Sequence, residues 1–114
     1  MPIREKQTHP RTLGRIRVRY GLDKLERTAF TMNVSRTGAF IRTNQVYAPG
    51  QTIKVEFSFP DRTLTVYAKV VWAKKVPIQL AHLLRCGMGV RFVSPGPEWL
   101  GAFEGWETGK KGGK

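Results

Sequence analysis

The segment Asn33-Val34-Ser35-Arg36-Thr37-Gly38 gathers an amide, two hydroxyls, a guanidinium and a glycine between stretches of alternating apolar residues. In an extended segment Asn33 and Ser35 fall on one face, where their donors and acceptors act together. Gly38 leaves room for backbone or ligand to come close, where a side chain would intrude. Arg11 follows Pro10 in the loop-like "EKQTHPR". Its guanidinium can grip a phosphate with two donors, pair with the O6/N7 edge of guanine, or lie flat on a base. A small anionic guanine nucleotide would use all of these groups. The competing reading is structural: Asn33 and Gly38 shape a turn between two strands and do nothing more.

Other chemistry is thinly supplied. His9 and His82 have no partners at metal-ligand spacing. Asp61 falls in a turn and Glu56 on an outward strand face, and neither pairs with a second carboxylate for acid–base work. Ser35 sits in no nucleophile elbow, and Gly87-Met88-Gly89 is too short to be a phosphate loop. Cys86 is alone, so an internal disulfide or thiolate metal cluster is excluded and a buried, inert thiol is expected. Neither an enzyme nor a bound cofactor is expected.

At 114 residues the chain fits one domain, long enough to bury a core without disulfides or metal. Twenty Lys and Arg against eight Asp and Glu give a formal charge of +12, which favours anionic partners. The cations are spread along the chain rather than gathered in one patch. No apolar run reaches the ~20 residues of a membrane span. The charged start "MPIREKQTHPR" lacks the apolar core of a secretory signal, so a bacterial cytoplasmic protein is expected.

The elements that must position the site are strands. "RIRVRY", Arg15 to Tyr20, puts Ile16, Val18 and Tyr20 on one face and Arg15, Arg17 and Arg19 on the other. A second strand is expected over Thr28–Val34, with Phe30, Met32 and Val34 in phase, and a third over Ala39–Thr43. "YAPGQ" is a turn, "TIKVEFSF" alternates again, and "PDR" makes a tight hairpin into a long strand, Thr63–Lys74. In that strand Leu64, Val66, Ala68, Val70 and Trp72 share a register. Val76–Cys86 fits neither period and reads as a loop with at most one helical turn. "GMGVRFV" is a last strand. Trp99, Phe103 and Trp106 then mark one face of a short helix that Gly101 and Gly105 weaken, so docking must hold it.

Short strands, hairpin turns and one late helix describe an all-β chain, a small antiparallel β-barrel. The division is an N-terminal basic loop over 1–10, the barrel and helix over 11–107, and a disordered Gly/Lys tail over 108–114. A basic barrel could bind single-stranded nucleic acid through exposed aromatics. Tyr20, Phe57, Trp72 and Phe92 all share the aliphatic phase and are assigned to the core, which disfavours nucleic acid.

The order of these pieces resembles the PilZ domain family from about Gln7 to Trp106. "HPRTLGRIRVRYG", "NVSRTGAFIRT", "VVWA" and "GMGVRF" follow one another as the family's segments do. The family pattern is R-x-x-x-R in an N-terminal loop and then [D/N]-x-S-x-x-G. The resemblance implies a six-stranded antiparallel β-barrel that receives the bacterial second messenger cyclic di-GMP. Arg11, Asn33, Ser35 and Gly38 are then its ligand contacts. Arg11-Thr12-Leu13-Gly14-Arg15 matches R-x-x-x-R literally. Alignment on "VRYG" instead makes Arg11 the second arginine and puts Gln7 in the place of the first, with Arg15 an outward strand residue. Losing one charge-assisted contact of roughly 1.5–3 kcal/mol weakens binding about ten- to a hundredfold. Arg4, Lys6, Arg15 or Arg36 would have to compensate. The resemblance thus implies either a cyclic di-GMP receptor that signals through its N-terminal loop to a partner protein, or a degenerate, nucleotide-independent interaction module.

Overall fold

A computed structural model of the chain describes residues 12–80 and 86–112. Alternation in the sequence becomes the wall of a barrel. The strands are β1 (Thr12–Leu13), β2 (Arg17–Gly21), β3 (Arg27–Val34), β4 (Gly38–Arg42), β5 (Thr52–Phe59), β6 (Arg62–Lys74) and β7 (Gly87–Val93). Neighbours run β3-β2-β5-β6-β7-β4, and β4 pairs back onto β3, so six antiparallel strands close a ring. The two-residue β1 is an extra strand, paired with the end of β3. Closure leaves the ring with no open edge for further strands to join.

The interior is built from the inward positions of every strand. Val18, Tyr20, Ile53, Val55, Phe57, Ala68, Val70 and Met88 are fully buried there. The Tyr20 hydroxyl would be costly to bury alone, and it lies 2.8 Å from Thr43 Oγ1 and 2.9 Å from the Gln45 carbonyl. Burial pushes its pKa up, so it stays neutral.

Helix α1 (Gly96–Gly112) plugs one end and runs on into the Gly/Lys tail. Its buried residues Trp99, Ala102 and Phe103 belong to the barrel core, and Trp106 packs at its margin. The Trp99 ring lies 4.7 Å from Phe57, 5.7 Å from Phe59 and 4.6 Å from Phe92, centroid to centroid. Docking therefore holds the helix despite Gly101 and Gly105, as expected. Between β6 and β7 a single 3-10 turn, Ile78–Leu80, is the helical turn expected in that loop. Cys86 is buried and free.

Three register shifts correct the sequence reading. Leu13 faces Asn33 but Arg17 faces Phe30, so residues 14–16 stand opposite 31–32, one residue in excess. This bulge interrupts the ladder expected from Arg15 to Tyr20, and Arg15 lies off it. The buried Thr31 hydroxyl bridges the gap, accepting from the Ile16 amide (2.9 Å) and donating to the Gly14 carbonyl (2.8 Å). A second bulge, between Thr31 and Asn33 against β4, resets β3. Its inward residues are Ala29, Thr31 and Val34, and Phe30, expected inside, is 38% exposed. A third, between Val70 and Trp72 against β7, turns Trp72 out of the core to 45% exposure. Periodicity-based reading assumes an unbroken period of two, and an inserted residue reverses every position beyond it.

Candidate functional site

Two of these bulges converge on one line across the outer wall. Leu13, Asn33, Phe40, Gly89 and Trp72 are direct cross-strand neighbours on β1, β3, β4, β7 and β6. Four ladder steps at ~4.8 Å make a row about 19 Å long. The β3 bulge brings Asn33 onto the outer wall, and the β6 bulge does the same for Trp72 at the other end. Bulges commonly re-aim a side chain beside a functional site.

Between those ends lies an aromatic floor. Phe40 points outward yet is only 4% exposed, because Trp72 stacks on it with ring centroids 5.1 Å apart at 20°. Gly89 makes this possible: a Cβ there would come within 2.2 Å of Trp72 Nε1. The indole lies against bare backbone, and its outer side remains accessible. A flat ring fixed in this way suits stacking with a nucleobase, worth about 1–3 kcal/mol per base. Periodicity assigned Trp72 to the core and gave Phe40 no role.

The hairpin that follows Asn33 has mostly internal duties. Ser35 is buried, and its amide donates to the Gly38 carbonyl at 2.8 Å. Its hydroxyl accepts from the amides of Thr37 and Gly38, both at 3.2 Å. Asn33 and Ser35 therefore do not share a face as expected, because the strand ends at Val34 and Ser35 turns into the hairpin. Gly38 is required by a neighbouring strand. A Cβ there would sit 2.3 Å from the Val90 carbonyl oxygen. The close approach expected for a ligand is thus made by β7.

Arg36 is exposed at the tip, with Nη2 3.2 Å from Glu104 Oε2 of α1. Its carbonyl accepts from Trp99 Nε1 at 3.0 Å. Thr12 donates to the Glu107 carboxylate, so the helix touches both flanks of the motif. Arg15, the other supporting candidate, places its guanidinium 4.0 Å from the Phe30 ring centroid. Arg4, Gln7, His9, Arg11 and His82 lie outside the described residues. Among the described residues no group of three acidic, His or Cys side chains could hold a metal ion. No helix among them is long and apolar enough to cross a membrane.

The sequence model of the PilZ domain matches residues 5–99. The chain belongs to the PilZ domain family. PilZ domains are generally receptor or adaptor domains rather than enzymes. Among solved structures, the chain is similar to the Bacillus subtilis inhibitor of motility MotI/DgrA, with a TM-score of 0.75 at 15% identity. The alignment covers 98% of this chain and 57% of the neighbour, so this chain spans little more than half of that protein's length. At that identity the likeness is one of fold. No curated protein sequence matches the chain.

Proposed function

We propose that this PilZ domain is a receptor for cyclic di-GMP, which docks on the outer barrel wall along the row from Asn33 to Trp72. The observation that carries this reading is the pair of bulges. Each turns one residue out of phase, and together they align an amide and a half-exposed indole on one face. In the proposal the Asn33 amide meets a guanine edge and Trp72 stacks on a base. Ser35 and Gly38 hold the hairpin that presents Asn33, and Arg11 with its basic neighbours closes the N-terminal loop over the nucleotide. The formal charge of +12 suits a dianionic ligand. Recognition of this messenger would place the chain in a bacterial cytoplasm, with a partner protein reading the altered surface. Control of motility is one such output, by analogy with the fold of the inhibitor of motility alone.

One observation favours the second reading, a nucleotide-independent interaction module. The Ser35 hydroxyl and the Arg36 guanidinium are both engaged within the protein. Titration calorimetry with cyclic di-GMP separates the two. The receptor reading expects micromolar or tighter binding, weakened by Arg11→Ala and Asn33→Ala and tightened by Gln7→Arg. Absence of heat at high ligand, with binding restored by Gln7→Arg, would overturn it in favour of the module.

A further inference from the structure

Next to the Asn33–Trp72 row, the outer wall carries an open groove of ≈580 Å³ lined by Gly14, Arg15, Phe30, Thr31, Met32 and Arg42. That volume falls within the usual range for small-molecule sites. Phe30 and Arg42 face each other across β3 and β4. Arg42 and Phe40 are two residues apart on β4, so the groove lies about 7 Å along the strand from the row.

Three features prepare this groove for a flat anion. The first bulge takes Arg15 off the ladder and leaves its guanidinium over the Phe30 ring, held by cation–π attraction. Arg42 Nη1 meets the Met32 sulfur at 4.0 Å, a weak acceptor for a strong donor. Neither arginine forms an ion pair with a carboxylate among the described residues. Two guanidiniums thus flank a partly exposed phenyl and thioether floor without internal neutralisation. The Thr31 hydroxyl is already engaged with Gly14 and Ile16, so recognition falls to the arginines.

We propose that this groove seats the second guanosine-phosphate half of the ligand, with Arg42 and Arg15 standing in for the cation that Gln7 does not supply. The inference rests on the receptor reading above. An arginine fork matches the O6/N7 edge of guanine or two phosphate oxygens, and the base stacks on the Arg15 guanidinium that lies over the Phe30 ring. The ligand then runs along β3 and β4 across both sites. Glutamine at position 42 would instead complement the N6/N7 edge of adenine.

The test is calorimetry on the full chain with cyclic di-GMP and cyclic di-AMP, for wild type, Arg42→Ala, Arg42→Gln, Arg15→Ala and Asn33→Ala. Loss of the Arg42 fork is expected to weaken cyclic di-GMP binding about ten- to a hundredfold. Arg15→Ala weakens it as well, and Arg42→Gln narrows the preference for guanine over adenine. Arg42→Gln keeps the packing stem and decides the matter if Arg42→Ala fails to fold. If Arg42→Gln and Arg15→Ala bind within about twofold of wild type while Asn33→Ala is weak, the groove is overturned and the receptor reading stands. If wild type gives no binding, the receptor reading falls and this inference with it.

Discussion

Trp99 and Trp72 share one side chain and two opposite fates. Trp99 is 1% exposed among Phe57, Phe59, Phe92 and Phe103, and its indole N–H is satisfied by the Arg36 carbonyl. Trp72 is 45% exposed and is stacked on Phe40 over bare glycine backbone. One end of the barrel uses its indole to close a core. The wall uses the other to present a surface. Packing therefore accounts for Trp99 completely, whereas for Trp72 it accounts for one side of the ring and leaves the other open.

Substitutions can break this contrast, and the largest effect belongs to the plug. Trp99→Ala removes the centre of the aromatic cluster and is expected to lose about 3–5 kcal/mol of stability in urea denaturation. A loss below about 1 kcal/mol would mean that α1 is held by something other than Trp99. Gly38→Ala comes next, because its Cβ would meet a backbone oxygen of β7 at 2.3 Å and neither strand can yield freely. About 1–3 kcal/mol is expected from thermal or chemical denaturation. A neutral result would return Gly38 to ligand access alone.

Ser35→Ala strips the hydroxyl that accepts from Thr37 and Gly38 and should cost about 1 kcal/mol. If stability holds while cyclic di-GMP affinity collapses, Ser35 is a ligand contact first and a turn residue second. Trp72→Ala loses the buried half of the indole and uncovers Phe40, so about 1–2 kcal/mol of stability is expected to go with it. Its affinity for cyclic di-GMP should also fall tenfold or more, in keeping with a lost stacking contact of about 1–3 kcal/mol. Equal binding by this variant would reduce Trp72 to a lid on Phe40.

Much of the barrel was legible in the sequence. Ile53, Val55 and Phe57 alternate without interruption and are all buried, and Val66, Ala68 and Val70 behave likewise. The Trp99–Phe103 spacing marked the docking face of α1 correctly. Phe30 and Trp72 were misassigned because a one-residue bulge leaves composition unchanged while reversing the phase. A signal was nevertheless present. Val71 is apolar where strict alternation asks for a polar residue, and it is the inserted residue of the third bulge. Gly87 and Gly89, two apart on β7, pair with outward positions of β4 and β6, and Gly89 leaves the bare strip that Trp72 covers. The hydrogen-bond duties of Ser35 could not be read from its type, since a hydroxyl serves turn and ligand equally well.

Docking on the Asn33–Trp72 wall is tested directly by a chemical-shift map of the full chain titrated with cyclic di-GMP. The largest perturbations are expected at the Trp72 indole N–H and at the amides of Asn33, Phe40, Gly89 and Arg42. The amides at the opposite wall, Arg19, Lys54 and Glu56 on β2 and β5, should stay in place. Perturbations confined to β2 and β5, with the Trp72 indole unmoved at saturation, would contradict docking on that wall.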